Sequence, residues 1–230
     1  KAPWAIYREG ESWIYLGISP ELDDPALHVA AVFNSTHTRG QIYHPSKSQY
    51  EKGDLQALTM FPTDQIVLAR VLAGREGFFL HSSGAVMDGR GLLFVGHSEA
   101  GKSTTAGLLA GHAEILCDDR NVVRRDGGAW RVYGSWSHGQ LPVVSAASAP
   151  LRGLFFLRKS TENRLTAVTD RREMLDTLLG CVIRPLATRD WWEKTLALLD
   201  SLAREVPCYV MEFDKSGAIM PEIERLVPTL

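Results

Sequence analysis

Gly96, His97, Ser98, Glu99, Ala100, Gly101, Lys102 and Ser103 carry two glycines, a lysine and a serine at the spacing of a phosphate-cradling loop. In such a loop the backbone N–H groups and the start of the next helix face a polyphosphate, and the lysine ammonium reaches its terminal phosphates. The ligand this predicts is a nucleoside triphosphate, taken as ATP, held by Gly96 to Ser103 with Thr104 beside them. Ser103 would offer its hydroxyl to Mg²⁺.

Phosphoryl transfer also needs an acid at the metal and a group that orients or deprotonates the attacking hydroxyl. Asp118 and Asp119 follow an apolar run downstream of the loop, where a magnesium-binding acid belongs. One carboxylate can serve the metal while the other faces the nucleophile, and repulsion between neighbours predicts a raised pKa for one of them. The residues alone leave open which carboxylate does which. An Asp pair capping a turn before Arg120 is the plain alternative.

The flanking elements suit the loop. Gly91, Leu92, Leu93, Phe94 and Val95 read as a buried strand, and Thr104 to Ala110 as a helix ending at Gly111. Ala113 to Cys117 make a second buried strand that delivers the acids. Asp88, Gly89 and Arg90 predict a tight hairpin between Phe78–Met87 and Gly91–Val95, and Asp126, Gly127 and Gly128 predict another between Asn121–Arg125 and Trp130–Tyr133. The fourth loop residue is Glu99, where a tight backbone curl favours glycine, and its carboxylate would lie beside anionic phosphates. Its side chain is read as turned to solvent. The heterotrimeric G-protein α subunits resemble this chain in carrying Glu at that place.

Upstream, short-strand signals occur at Trp13–Leu16, Leu27–Phe33 and Gln41–Tyr43, followed by a helical pattern from Asp54 to Gly74 with Thr63 as a plausible cap. Later segments read as a strand at Leu151–Leu157, helices near 170–180 and 188–204, a strand at Cys208–Phe213 and a last helix from about Ala218. The order is hairpin-rich mixed α/β, without the strict alternation of a doubly wound sheet. The expected division is a small β-rich region with a helix over 1–75 and a catalytic core over 76–230.

At 230 residues, 45% apolar and 23% charged, with net charge −2, the chain suits a globular protein with a sizeable core and not a nucleic-acid surface. No apolar run is long enough to cross a bilayer and no secretory signal is read, so no membrane partner is expected. Cys117, Cys181 and Cys208 are widely spaced in apolar settings and read as buried free thiols, which points to the cytoplasm. The seven histidines show no zinc-ligand spacing. Arg152 and His138 are candidates for substrate or phosphate contacts, the first by its charge and the second by its place in the Gly-flanked loop Trp136–Gly139. A surface ion pair and ordinary turn chemistry account for them as well.

The run from Leu80 to Val123 resembles the catalytic core of HPr kinase/phosphorylase and its relatives, P-loop kinases of the phosphoenolpyruvate-carboxykinase type of fold. It includes His81, 21 positions before Lys102. Taken alone, His81 reads as a core histidine; the resemblance implies that it sits in the active site. It also implies that Lys102 and Ser103 bind phosphate and Mg²⁺, and that one of Asp118 and Asp119 accepts the proton, here assigned as Asp119 with Asp118 on the metal although the sequence does not separate them; by analogy it implies a homo-oligomer. Pro150, Leu151, Arg152, Gly153, Leu154 and Phe155 resemble the family's Glu-Ile-Arg-Gly-Leu-Gly signature, with Pro150 in place of the metal-linked Glu. Thr104 stands where the family has an acid, and the distance from Lys102 to the Asp pair is shorter by one. The expected function is ATP- and Mg²⁺-dependent phosphoryl transfer to a hydroxyl, on Ser/Thr of a protein or peptide or on a small Ser-like molecule. A non-catalytic ATP/GTP-binding switch and a carboxykinase-type enzyme are the alternatives.

Overall fold

A computed structural model describes residues 4–18, 27–44, 47, 63–184 and 188–230. The chain is mixed α/β and divides into two compact units, 1–74 with 184–188, and 75–183 with 189–230.

In the first unit an antiparallel meander runs β1 (Trp4–Glu9), β2 (Ser12–Ile18), β3 (Leu27–Asn34) and β4 (Gly40–Tyr43). Tyr15, Val29, Ala31 and Phe33 form its core, with Ile6, Trp13 and Val67 packed against them. Val67 comes from α1 (Thr63–Ala73), which realises the second half of the expected helix; residues 54–62 and the side chains of the first helical turn lie outside the described residues. β1 escapes sequence reading because its short apolar run, Trp4 to Tyr7, does not alternate with polar residues and belongs to a largely exposed edge strand.

The second unit has eight strands: β5 (Gly77–Met87), β6 (Arg90–Val95), β7 (Glu114–Cys117), β8 (Arg120–Asp126), β9 (Ala129–Tyr133), β10 (Ser148–Lys159), β11 (Arg164–Ala167) and β12 (Cys208–Phe213). Both expected hairpins form. Asp88 and Gly89 turn β5 into β6, and Gly127 and Gly128 turn β8 into β9, each pair with positive φ as a two-residue turn between twisted strands requires. The lateral order is β11, β12, β10, β6, β5, β8, β9, with β7 also on β5. β6, β10 and β12 run parallel to one another, while β5 is antiparallel to β6, β7 and β8.

Strand alternation gives this sheet two apolar faces. On one, Leu92, Phe94, Phe155, Leu157 and Met211 pack with Ala106 and Leu109 of α2 (Lys102–Leu109) and with Ile223 of α5 (Met220–Leu226). Phe94, Phe155 and Tyr209 stack across the three parallel strands, with centroids 4.9 and 5.5 Å apart. α3 (Arg171–Cys181) and α4 (Arg189–Glu205) pack on each other and against β5. Trp191 of α4 is buried, its ring 5.0 Å from that of Trp192. No helix among the described residues is long and apolar enough to cross a membrane.

Candidate functional site

In parallel sheets, ligands gather beyond the carboxyl ends of the strands. Here three such ends converge: Val95 of β6 leads into the Gly96–Gly101 loop, β10 ends at Lys159, and β12 ends at Phe213 before Lys215. The loop closes tightly. A Cβ on Gly96 would lie 2.6 Å from that of Ala100, and one on Gly101 would lie 2.7 Å from the Phe213 ring. Gly101 has φ 107° and caps α2 without a side-chain acceptor, so the first-turn N–H groups of that helix gain no side-chain partner from their cap. Glu99 has φ 65°, a left-handed conformation in which a side chain costs about 1 kcal/mol or more. Replacing Glu99 by Gly relieves that cost but adds freedom to the unfolded chain. The variant is therefore expected to be more stable by no more than ~1 kcal/mol, read as a rise in Tm.

Lys102 opens α2 and is only 7% exposed. Its ammonium folds back on the loop, donating to Gly96 O at 3.0 Å and His97 O at 2.8 Å. Burial lowers its pKa, opposed by Cys181, Asp119 and Asp118. His97 gives the site its carbonyl and not its ring, which rests on α3, where a Cβ on Gly180 would lie 2.6 Å from ring Cε1. Ala100 turns to the core, while Ser98, Glu99, Ser103 and Thr104 line the cleft.

β7 brings the acid pair to the same place. Asp118 is 2% exposed and accepts hydrogen bonds from Gly139 N (2.5 Å) and Leu141 N (3.1 Å), with the Ser103 hydroxyl as a further donor beside it. Burial pushes its pKa up, and these three donors together bring it below the ordinary carboxylate value. Asp119 Oδ2 accepts from Ser137 Oγ at 2.6 Å and lies 3.3 Å from Arg120 Nε. Its Oδ1 faces His81 Nε2 at 3.4 Å, placed by the β5–β8 register that sets His81 opposite Arg120. The His81 hydrogen bond is the largest influence on Asp119, and with Ser137 and Arg120 it outweighs burial and holds the pKa at about 2. The expectation that repulsion raises one of the two pKa values is therefore corrected: each carboxylate has its own donors, and both pKa values fall.

A depressed folded-state pKa stabilises the fold above the unfolded value near 4, and that contribution disappears as pH falls towards 2. Asp119, with a folded pKa of about 2, therefore contributes roughly 2 kcal/mol at neutral pH. Urea unfolding is expected to show a stability loss of that order between about pH 4 and pH 2, and Asp119→Asn to flatten that limb.

The segment between β9 and β10 has a role the sequence did not show. Ser137, Gly139 and Leu141 hold the acids, and a Cβ on Gly139 would come within 3.0 Å of Asp118 Oδ2. The close approach required of Gly139 is the one signal that could have marked this contact. Trp136 is exposed, its ring edge-on to Phe79 with centroids 6.1 Å apart. His138 is exposed, with Nδ1 3.2 Å from the carbonyl of its neighbour Gly139, and does not line the cleft.

The cleft has a volume of about 680 Å³ and brings together Lys102, Ser103, Asp118, Asp119 and His81. Arg152 is not there. The β10–β6 register pairs Leu151 with Gly91 and Phe156 with Val95, so Arg152 lies at the opposite end of the strand from the loop. Pro150 lies further that way, paired with Arg131 of β9, so a carboxylate at this position would not enter the cleft. The same register carries Lys159 to the loop end, where it lines the cleft with Gln140 and Lys215, none of which the motif analysis singled out. For Mg²⁺, the Ser103 hydroxyl and the buried, ionised Asp118 carboxylate, which line the same cleft, are the hard-oxygen pair such an ion takes alongside phosphate and water.

The family model described as SynChlorMet cassette protein ScmC matches residues 47–228. No curated protein matches by sequence. Among solved structures, the Hpr(Ser) kinase/phosphatase from Coxiella burnetii is similar at 13% identity, covering 66% of this chain and 88% of that one, with a TM-score of 0.39. A likeness of that size carries no functional argument.

Proposed function

The chain belongs to the ScmC family, and for it we propose Mg²⁺- and ATP-dependent transfer of the γ-phosphoryl group to a hydroxyl, on a P-loop kinase core of the HPr kinase/carboxykinase type. The acceptor is Ser/Thr of a protein or peptide, or a small Ser-like molecule. The observation that carries this reading is the single cleft shared by the Lys102–Ser103 loop and the Asp118–Asp119–His81 group. The three buried thiols Cys117, Cys181 and Cys208, free of disulfides, suit the cytoplasm.

The loop N–H groups and Lys102 bind the triphosphate, and Lys102 neutralises charge on the transferring group. Ser103 and Asp118 would hold Mg²⁺, which supplies further neutralisation of the phosphate oxygens. Asp119 faces the acceptor hydroxyl with His81 and Ser137 fixing its carboxylate. As the acceptor oxygen bonds to the γ-phosphorus, the bond from that phosphorus to the bridging oxygen breaks, ADP leaves with the electron pair, and the hydroxyl proton passes to Asp119.

The experiment incubates the protein with Mg-ATP and a pool of cellular proteins, peptides and metabolites, and seeks phosphorylated products by mass spectrometry. A product made by wild type and not by Lys102→Ala supports the kinase and names its acceptor class. Tight ATP binding with no product supports the second reading, a nucleotide-binding switch, which the carboxylate of Glu99 on the loop wall favours.

A further inference from the structure

Two cations of the cleft have no role in the chemistry described so far. Lys159 and Lys215 are exposed and line the same cleft as Lys102, and their side chains make no ion pair or hydrogen bond among the described residues. Their neighbour is different: Arg158 turns to the other face of β10 and pairs with Glu173 at 2.8 Å.

Both lysines are held against the loop. Phe213, the last residue of β12, packs its ring on Gly101 and takes a hydrogen bond on its carbonyl from Ser160 N at 3.0 Å, which ties the residue after Lys159 to the end of β12. Lys215 sits in the next turn, which Asp214 closes by accepting from Ser216 N at 2.9 Å. The strand order β12, β10, β6, β5 then sets the lateral sequence of charges: Lys215, Lys159, the loop, and last His81 with the acids that flank β5. Among the residues lining the cleft, Lys159 and Lys215 stand on one side of the loop and Asp118 and Asp119 on the other.

Resting on the phosphotransferase reading, we infer that Lys159 and Lys215 grip the polyphosphate of the nucleotide from the side opposite Asp118 and Asp119. They thereby fix its direction, with the γ-phosphate towards Asp119, and make affinity depend on the number of phosphates. A lysine ammonium contacts phosphate as a mobile point charge, through hydrogen bonds roughly twice as strong as neutral ones.

The test measures dissociation constants of Mg-ATP, Mg-ADP, AMP and inorganic tripolyphosphate by calorimetry. It compares wild type, the Lys159→Met/Lys215→Met double variant, the corresponding double Arg variant, and Lys102→Ala. The double Met variant is expected to weaken ATP and tripolyphosphate by about 100-fold, ADP by less, and AMP by under ~2-fold, with a shallower salt dependence. The double Arg variant should restore ATP binding to within ~3-fold, because the charge remains. Both sites are exposed, so an unchanged Tm confirms folding. ATP affinity unchanged in the double Met variant, or equal losses for all four ligands, overturns the inference. If the double Met variant binds ATP as wild type does while Lys102→Ala does not, the lysine grip alone falls and the phosphotransferase reading stands. If wild type fails to bind ATP, both fall.

Discussion

Asp119→Asn is expected to lower kcat for phosphoryl transfer by about 10²- to 10⁴-fold while changing Mg-ATP affinity by less than ~3-fold. The amide is isosteric and can still accept from Ser137, so the variant removes charge and proton affinity with little change of shape. A carboxylate with pKa about 2 is a poor base towards a free hydroxyl. In a loose transition state, however, the attacking oxygen becomes acidic only as its bond to phosphorus forms, so a fixed, fully ionised acceptor suffices. Two consequences separate this from a merely structural role. Asp118→Asn should weaken Mg-ATP binding or raise the Mg²⁺ requirement, because Asp118 lines the cleft with Ser103 as the proposed metal pair. The pH–rate profile should also carry no limb from Asp119 above about pH 4, since its ionisation is complete there. Single-turnover measurements with the identified acceptor decide it: wild-type kcat in Asp119→Asn removes the proposed base, and an equal loss in both variants removes the division of labour.

The parts legible in the sequence are those written in consecutive residues. The β5–β6 hairpin could be read from Asp88–Gly89 because a two-residue turn with positive φ strongly limits residue choice. The loop could be read for the same reason, since close packing forces glycine at 96 and 101. What stayed hidden depends on pairing between distant segments. The β6–β10–β12 register joins residues near 95, 156 and 210, and no local pattern says that Lys159 rises beside the loop while Arg152 lies at the far end. β11 is not legible in the sequence because it is a four-residue edge strand, mostly exposed, held by backbone pairing to β12. The acid pair shows the limit most clearly. Adjacency in sequence suggests two carboxylates repelling each other, whereas the fold gives Asp118 the backbone of Gly139 and Leu141, and Asp119 the side chains of His81 and Ser137.

Lys102→Met is expected to abolish ligand stabilisation while leaving the empty protein nearly as stable as wild type. Two opposing effects meet at this residue. The ammonium is largely buried, and that burial lowers its pKa, so the charged form is held at a cost to the fold. Against this, it supplies donors to the carbonyls of Gly96 and His97, each contact stabilising by roughly 1–3 kcal/mol. Methionine removes the desolvation cost and the two hydrogen bonds together and fills much of the same volume. The net change in unfolding free energy should stay within ~2 kcal/mol, of either sign. Nucleotide binding has no such offset, because the phosphates lose the cation aimed at them and gain nothing in return. Saturation at 100 times Kd stabilises a folded protein by about 2.7 kcal/mol, which for a domain of this size is a Tm rise of several degrees. Thermal melts with and without Mg-ATP should show that rise in wild type and none in Lys102→Met. A full shift in the variant would mean that the triphosphate does not lie against Lys102, and the assignment of the loop would fail with it.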